Sequence, residues 1–304
     1  MEINLHPESG YNWTTFLENT YFEKVIEELF FILGDRYNDY FFQFYLYDGT
    51  LKQNIAPPKN IVKIKVLFLL CDERNHLNHE HIKGYDYVFK SYLPDGHCSS
   101  FIPIPVGYNA QIPKLPIKNV MERGIDVFYS GNLNSNRLTG LYKSLHKLSW
   151  LPKRLFLAIY ARPRIRKLFN LSFPIYFQSK IYKYNISFND GFNLGLKKSL
   201  YADALNNCKI ALCPKGYFVN ETFRFYEALR QGAIVVSERL PNHSFYKDAP
   251  VLQTETWNDL PKIIKQIYIK NMEEQQKASL NYYEANLSEM AVAQYVKKII
   301  VNFG

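Results

Sequence analysis

Apolar residues recur at helical spacing over Trp13–Leu33, through Phe16, Phe22, Val25, Ile26, Leu29 and Phe30, and Gly34-Asp35 closes that stretch. The period then shortens to that of a strand. Asp39–Tyr47 reads as an aromatic strand with a turn at Asp48-Gly49, and Ile61–Cys71 alternates before becoming wholly apolar in VLFLLC, as a central parallel strand does. Tyr85–Lys90 and Phe101–Pro105 predict two further short strands. Downstream, Ile125–Tyr129 predicts a compact strand running into a loop, Ser130-Gly131-Asn132, and then a helix carrying Arg137. Tyr184–Phe188 predicts a strand with a loop at Asn189–Asn193, and Leu196–Asn206 a helix. Cys208–Cys213 and Ala233–Ser237 predict buried strands on either side of a helix, Glu221–Gln231, with Asn220 at its N-cap and Gly232 after its end. Trp257–Asn271, Glu273–Leu287 and Ser288–Phe303 predict closing helices. Strands alternating with helices imply an α/β fold with parallel sheets.

At 304 residues the chain has room for two domains of about 150 residues each, and Gln111–Asn119, with Pro113 and Pro116, predicts the linker. A hydrophobic content of 47% with 21% charged residues describes a globular chain, and a mean hydropathy of −0.26 a soluble one. The formal net charge of +9 favours anionic partners such as nucleotide sugars, phospholipid head groups or nucleic acid. Nucleic acid rests on charge and aromatic content alone, without a recognisable binding module, so it is not expected as a partner. Cys71, Cys98, Cys208 and Cys213 lack CxxC spacing and are expected as reduced core thiols. His76, His79 and His81 have no HExxH pattern, so no metal site is expected. Met1–Gly10 is polar and no apolar run reaches bilayer length, which predicts a cytoplasmic protein.

The chemistry concentrates in Cys208–Pro241. A strand, a short helix and a parallel strand make a crossover whose first loop and helix start suit an anion. Arg224 and Glu227 lie three apart on one helix face. The guanidinium can grip phosphate oxygens in bidentate fashion, and the carboxylate can accept from a ribose diol. The same pair also suits an exposed ion pair on a surface helix. In the first half, the strand ending at Cys71 runs into Asp72-Glu73-Arg74-Asn75-His76. Asp72, Glu73, His76 or the nearby His79 could take a proton from an acceptor hydroxyl, or the stretch could be a solvated loop capping the next helix. Glu238 and Asn242 follow the second strand, where they could bond sugar hydroxyls or form an ordinary turn.

The run C-x-x-A-L-C-P-x-G followed by E-T-F-R-x-x-E-A-L-x-x-G-A-I-x-V resembles the donor-binding region of exostosin-type glycosyltransferases and their bacterial relatives. The resemblance implies a GT-B fold, two Rossmann-like domains facing across a cleft. They would be an acceptor-binding domain at 1–118, a nucleotide-sugar domain at 119–287 and a terminal helix at 288–304 that packs back towards the first. It implies that Arg224 holds the donor diphosphate and Glu227 the ribose, with Lys215, Gly216, Tyr217, Asn220 and Thr222 around the donor. The S-G-N-x-x-x-x-R element is similar to one in the same enzymes, which implies that Ser130, Gly131, Asn132 and Arg137 face the diphosphate. Pro105-Val106-Gly107-Tyr108 resembles the stretch that leads to their interdomain linker. The sequence departs from the family where a Ser often precedes the arginine, since Thr222 and Phe223 stand there.

Activity is therefore expected as sugar transfer from a UDP- or GDP-sugar co-substrate to a cell-surface polysaccharide or lipid-linked acceptor, inverting and without a metal. The alternative is a non-catalytic nucleotide or glycan binder of the same fold. Lys143–Asn170 interleaves basic residues with Leu, Trp and Phe and is cut by Pro152 and Pro163. Basic amphipathic helices of this kind suit peripheral contact at the inner face of a membrane, and equally suit core-packed helices with a solvated basic face.

Overall fold

A computed structural model describes residues 3–50, 55–95, 101–168, 175–177, 181–191 and 194–302. Cys98, Phe169, Asn170, Asn193 and Phe303 lie outside the described residues. The chain divides into two compact units, one of residues 1–111, 241–249 and 282–304, the other of residues 112–240 and 250–281.

The first unit opens with a 3-10 turn, Trp13–Thr15, before helix α1 (Asn19–Leu33). The helix therefore starts later than its apolar periodicity suggests, because the turn at Trp13 breaks the path before Asn19. Gly34, at φ +56°, ends α1. Strands β1 (Tyr40–Leu46), β2 (Ile64–Leu70), β3 (Tyr87–Lys90) and β4 (Ile102–Pro103) form a parallel sheet in that order. Both of its faces are covered, which is why β2 has no polar alternation in its second half. On one face Phe68 stacks against Phe44 at 4.8 Å and Phe89 at 5.5 Å; on the other Tyr45, Tyr47, Leu67 and Leu69 form a second cluster. The C-terminal helix, Glu289–Asn302, packs on α1 in this unit, and Tyr21 of α1 donates its hydroxyl to the Leu287 carbonyl at 2.8 Å. Gly107 is at φ +88°, and a Cβ there would fall 2.3 Å from the Tyr21 ring, so only glycine fits.

The second unit contains β5 (Ile125–Asn132), α2 (Ser135–Arg137), a π-helical turn (Leu138–Tyr142), α3 (Lys143–Leu145), α4 (Lys153–Tyr160) and α5 (Pro163–Leu168). Then come β6 (Ile175–Phe177), β7 (Tyr184–Asn189), α6 (Lys198–Asn206), β8 (Cys208–Cys213), α7 (Phe223–Arg230), β9 (Ile234–Glu238) and β10 (Val251–Thr254). Helices α8 (Leu260–Ile269) and α9 (Met272–Tyr282) follow. The sheet runs β10-β9-β8-β5-β7-β6, parallel except for β6. Its first strand, β5, lies between β7 and β8, so the order reverses there, and the carboxyl ends of β5 and β8 flank the point where such sheets bind ligands. Core residues on one face include Tyr129, Leu141, Leu212, Val236, Trp257 and Ile264.

Two further expectations change, and two strands appear that the sequence did not announce. Ser130-Gly131-Asn132 is the end of β5 rather than a loop, because these residues pair with Ser187, Phe188 and Asn189 of β7. Helix α7 begins two residues later than expected, with Thr222 as its N-cap at φ −144°, and the Asn220 side chain instead donates to the Arg239 carbonyl. Strands β6 and β10 carry no periodicity long enough to announce them; pairing with β7 and β9 makes them strands.

Candidate functional site

The site grows from the two strand ends at the reversal point. β5 delivers Ser130, Gly131 and Asn132, the following helix α2 delivers Arg137, and β8 leads into Pro214–Glu221 before α7 brings Arg224 and Glu227. Asn134 caps the helix that carries Arg137, accepting from the Arg137 amide at 2.9 Å. The loop after β8 is held by its own turn, Gly216 N–H to the Val219 carbonyl at 2.9 Å. The Asn136 amide also donates to the carbonyls of Gly216 at 2.9 Å and Tyr217 at 2.8 Å.

Arg137 and Arg224 are both buried, at 6% and 7% exposure. Arg137 donates to the Lys215 carbonyl at 3.0 Å, to the Asn132 carbonyl at 3.1 Å and to Asn132 Oδ1. Burial pulls the affinity of this guanidinium for its proton below the ordinary value, and Arg224 nearby adds to the effect. Arg224 donates to the Ser130 carbonyl at 3.0 Å, and its guanidinium carbon lies 4.9 Å from the centre of the Tyr129 ring. Its Nε is buried and has no acceptor among the described residues. Burial works against the Arg224 charge, but Tyr201, Tyr129 and Glu227 more than offset it. Among the described residues neither guanidinium has a carboxylate at ion-pair distance. Arg137 is held by neutral carbonyls and by Asn132, and burial costs its charge the hydration that these dipoles return only in part, which favours an anion beside the two guanidiniums.

Gly131 completes this arrangement. A Cβ at that position would lie 2.7 Å from Arg224 Nη2 and 2.8 Å from the Tyr129 hydroxyl. Any side chain would push the guanidinium off its seat. Glu227 is 1% exposed, and its Oε2 accepts from the Tyr201 hydroxyl at 2.9 Å. Arg224 and Glu227 are thus interior groups of the second unit, and the exposed ion pair that their spacing also allowed is excluded. Thr222 Oγ1, buried at the start of α7, has no partner among the described residues. Lys215 is half-buried, Tyr217 is 56% exposed, and Glu238 Oε1 accepts from Trp257 Nε1 at 2.5 Å.

The remaining residues of interest lie in the first unit. Asp72 is fully buried: it forms an ion pair with Lys90 Nζ at 2.6 Å and accepts from the amides of His76 at 2.9 Å and Leu77 at 3.0 Å. The expectation that Asp72 serves as a base is corrected on that ground, since the carboxylate is fully buried and committed to Lys90 and to two amides of its own loop. Glu73 is half-buried in the same loop, and exposed His76 pairs its Nδ1 with the Tyr47 hydroxyl at 3.0 Å. That bond orients the ring and leaves Nε2 without a partner among the described residues. Asn242 also belongs to this unit, where its amide donates to Asp95 Oδ1 at 2.5 Å, so the structure places it and Glu238 in different compact units.

Several contributors carry no signal in the sequence. Tyr129, Asn136, Tyr201 and Trp257 act through contacts with residues distant along the chain. Lys90 is the exception, because a charge ending the apolar strand Tyr87–Lys90 must be paired if it is buried. Cys208 and Cys213 are free and buried, and burial pushes both thiols up to about 12, so neither is a reactive thiolate. Among the described residues no group of three His, Cys, Asp or Glu could hold a metal ion, and no helix is long and apolar enough to cross a membrane.

Compared with protein-family models and with curated proteins, the chain matches none. Solved structures do resemble it. One is AviGT4, a glycosyltransferase involved in avilamycin A biosynthesis, at 10% identity and a TM-score of 0.51, covering 97% of this chain and 91% of that one. WaaG, a glycosyltransferase involved in lipopolysaccharide biosynthesis, is 12% identical with a TM-score of 0.43, over 99% of this chain and 98% of that one. Alr3699/HepE from Anabaena, solved with UDP-glucose, is 10% identical with a TM-score of 0.43, over 79% of this chain and 72% of that one. The likeness to AviGT4 is one of fold: two α/β units, each built on a mainly parallel sheet, in the architecture of the GT-B glycosyltransferases.

Proposed function

We propose that the chain is a glycosyltransferase that moves a sugar from a UDP- or GDP-linked donor to a cell-surface polysaccharide or lipid-linked acceptor, with inversion and without a metal. The observation that carries this reading is the pair of buried guanidiniums, Arg137 and Arg224, at the carboxyl ends of β5 and β8, with no carboxylate among the described residues at ion-pair distance from either. The exostosin-like motif from Cys208 to Val236 supports it and belongs to the proposal. In the reaction the acceptor oxygen bonds to the anomeric carbon as the bond to the diphosphate oxygen breaks. Arg224, Arg137 and Lys215 take up the charge that develops on the leaving group. The acceptor proton goes to His76, oriented by Tyr47, or to Glu73. Glu227 and the loop from Gly216 to Thr222 hold the nucleoside.

The second reading, a binder without turnover, is favoured by one observation: the best placed acid of the first unit, Asp72, is locked to Lys90. Thermal unfolding with a panel of UDP-, GDP-, CMP- and dTDP-sugars, followed by nucleotide release in the same samples, separates the two. At least one donor raises the melting temperature, and Arg224→Ala weakens that donor by about 2 kcal/mol, roughly thirtyfold. Equal affinity in that variant sinks the donor site. Donor binding without nucleotide release, across acceptors, leaves the binder.

A peripheral hold on anionic membrane, at the inner face of the cell membrane, is part of the same proposal. It is supported by Trp150, Leu155 and Leu168, at 75%, 55% and 78% exposure, beside exposed Lys147, Lys153, Arg154, Arg162 and Arg164.

A further inference from the structure

We infer that the second unit carries a groove for an oligosaccharide segment of the acceptor chain, formed by two adjoining cavities that meet at Trp257. The identity of that chain as an acceptor rests on the glycosyltransferase reading; the groove and its chemistry do not.

The first cavity, of about 290 Å³, is bounded by Asn136, Gly140, Lys215, Glu238, Glu255 and Trp257. The second, of about 350 Å³, is bounded by Leu145, Ser149, Trp150, Tyr184 and Leu260. Ser144, Trp257 and Asn258 line both, so the two cavities adjoin at these residues. Their chemistry differs from end to end. In the first, the Trp257 indole N–H fixes Glu238 through Oε1, leaving Oε2 to accept another bond. The Lys215 ammonium and the Glu255 carboxylate have no partner among the described residues, so donors and acceptors stand together. In the second, apolar and aromatic side chains predominate: Trp150 is 75% exposed and Tyr184 half-buried. Gly140 keeps the junction open, since a Cβ there would come within 3.2 Å of Trp257 Cδ1 and 3.8 Å of Glu238 Oε1.

A pyranose ring presents the complementary surface. Its C–H face packs on an aromatic ring, and its hydroxyls both donate and accept. A hydrocarbon tail would leave Lys215, Glu238 and Glu255 without use. A polyphosphate would meet two carboxylates. A chain of sugars uses both ends at once, and the polar end shares Lys215 with the loop that Arg137 holds.

Calorimetric titration of the whole chain with cellotetraose, maltotetraose and chitotetraose, each with and without UDP, tests the inference. At least one tetrasaccharide binds at millimolar concentration. Trp150→Ala and Glu255→Gln, at opposite ends of the groove, each weaken it about tenfold while UDP affinity stays unchanged. The inference is overturned if none of the three saccharides binds, if both variants bind as the parent does, or if Trp150→Ala affects only binding to anionic vesicles. UDP binding is read in the same titrations, so a chain that binds saccharide but no nucleotide would refute the transferase reading and leave the groove standing.

Discussion

Gly131 and Arg224 meet only in the folded chain, and their contact is the tightest constraint in the candidate site. Because a methyl group at 131 must displace the guanidinium, Gly131→Ala is expected to weaken nucleotide-sugar binding about tenfold or more, with little change in far-ultraviolet circular dichroism. The strand can absorb the substitution, since Gly131 is not at positive φ and its backbone pairs with Phe188. A parent-like affinity in this variant would show that Arg224 does not need its seat over Tyr129. At this scale the sequence was readable where chemistry is local. Arg224 and Glu227 stand out by spacing alone, and both prove to be interior. Their partners, Ser130, Tyr129 and Tyr201, were not readable, because nothing in a strand composition says which side chain lies across it.

The loop after β2 shows the same division at the scale of an element. Its position at a strand's carboxyl end suggested chemistry, yet its acid is structural. Lys90 uses all three of its protons, on Asp72 at 2.6 Å, Asn75 Oδ1 at 2.7 Å and the Leu77 carbonyl at 3.1 Å. With Asp72 these bonds fix a turn in which Cys71 and Asn75 adopt positive φ, conformations that non-glycine residues hold only when the surroundings require them. Lys90→Met leaves the Asp72 charge buried and unpaired and should cost roughly 3–5 kcal/mol in urea unfolding, whereas adding Asp72→Asn should restore part of the loss. A single variant as stable as the parent would contradict the picture of a loop held by this pair. The opposite case is α7, whose existence and direction were evident from its apolar spacing and Gly232, but whose start was not. Thr222 takes the extended N-cap position, while Asn220 is committed to the Arg239 carbonyl, a bond made across the crossover.

On the scale of the molecule, the net charge of +9 favours anionic partners, and part of its positive charge lies around α4 and α5. Exposed cations of α4, α5 and the turn before them lie close in sequence to exposed Trp150, Leu155 and Leu168, and the membrane contact proposed above rests on them, at about 1 kcal/mol for each basic residue near anionic lipid. Co-sedimentation with vesicles containing phosphatidylglycerol should therefore exceed that with phosphatidylcholine alone and fall as salt is raised. No preference for the anionic vesicles would assign this face to solvent. By itself the sequence determined the alternation of strands and helices, the parallel sheets and the arginine–acid pair, because hydrophobic period, turn residues and helix stops act within a few positions of one another. Only the tertiary structure decided that Ser130-Gly131-Asn132 continues a strand, that Asp72 belongs to Lys90 and that two arginines share one interior. Each of those outcomes depends on which segments pair and on how much water burial removes, and neither is written in any local stretch of chain.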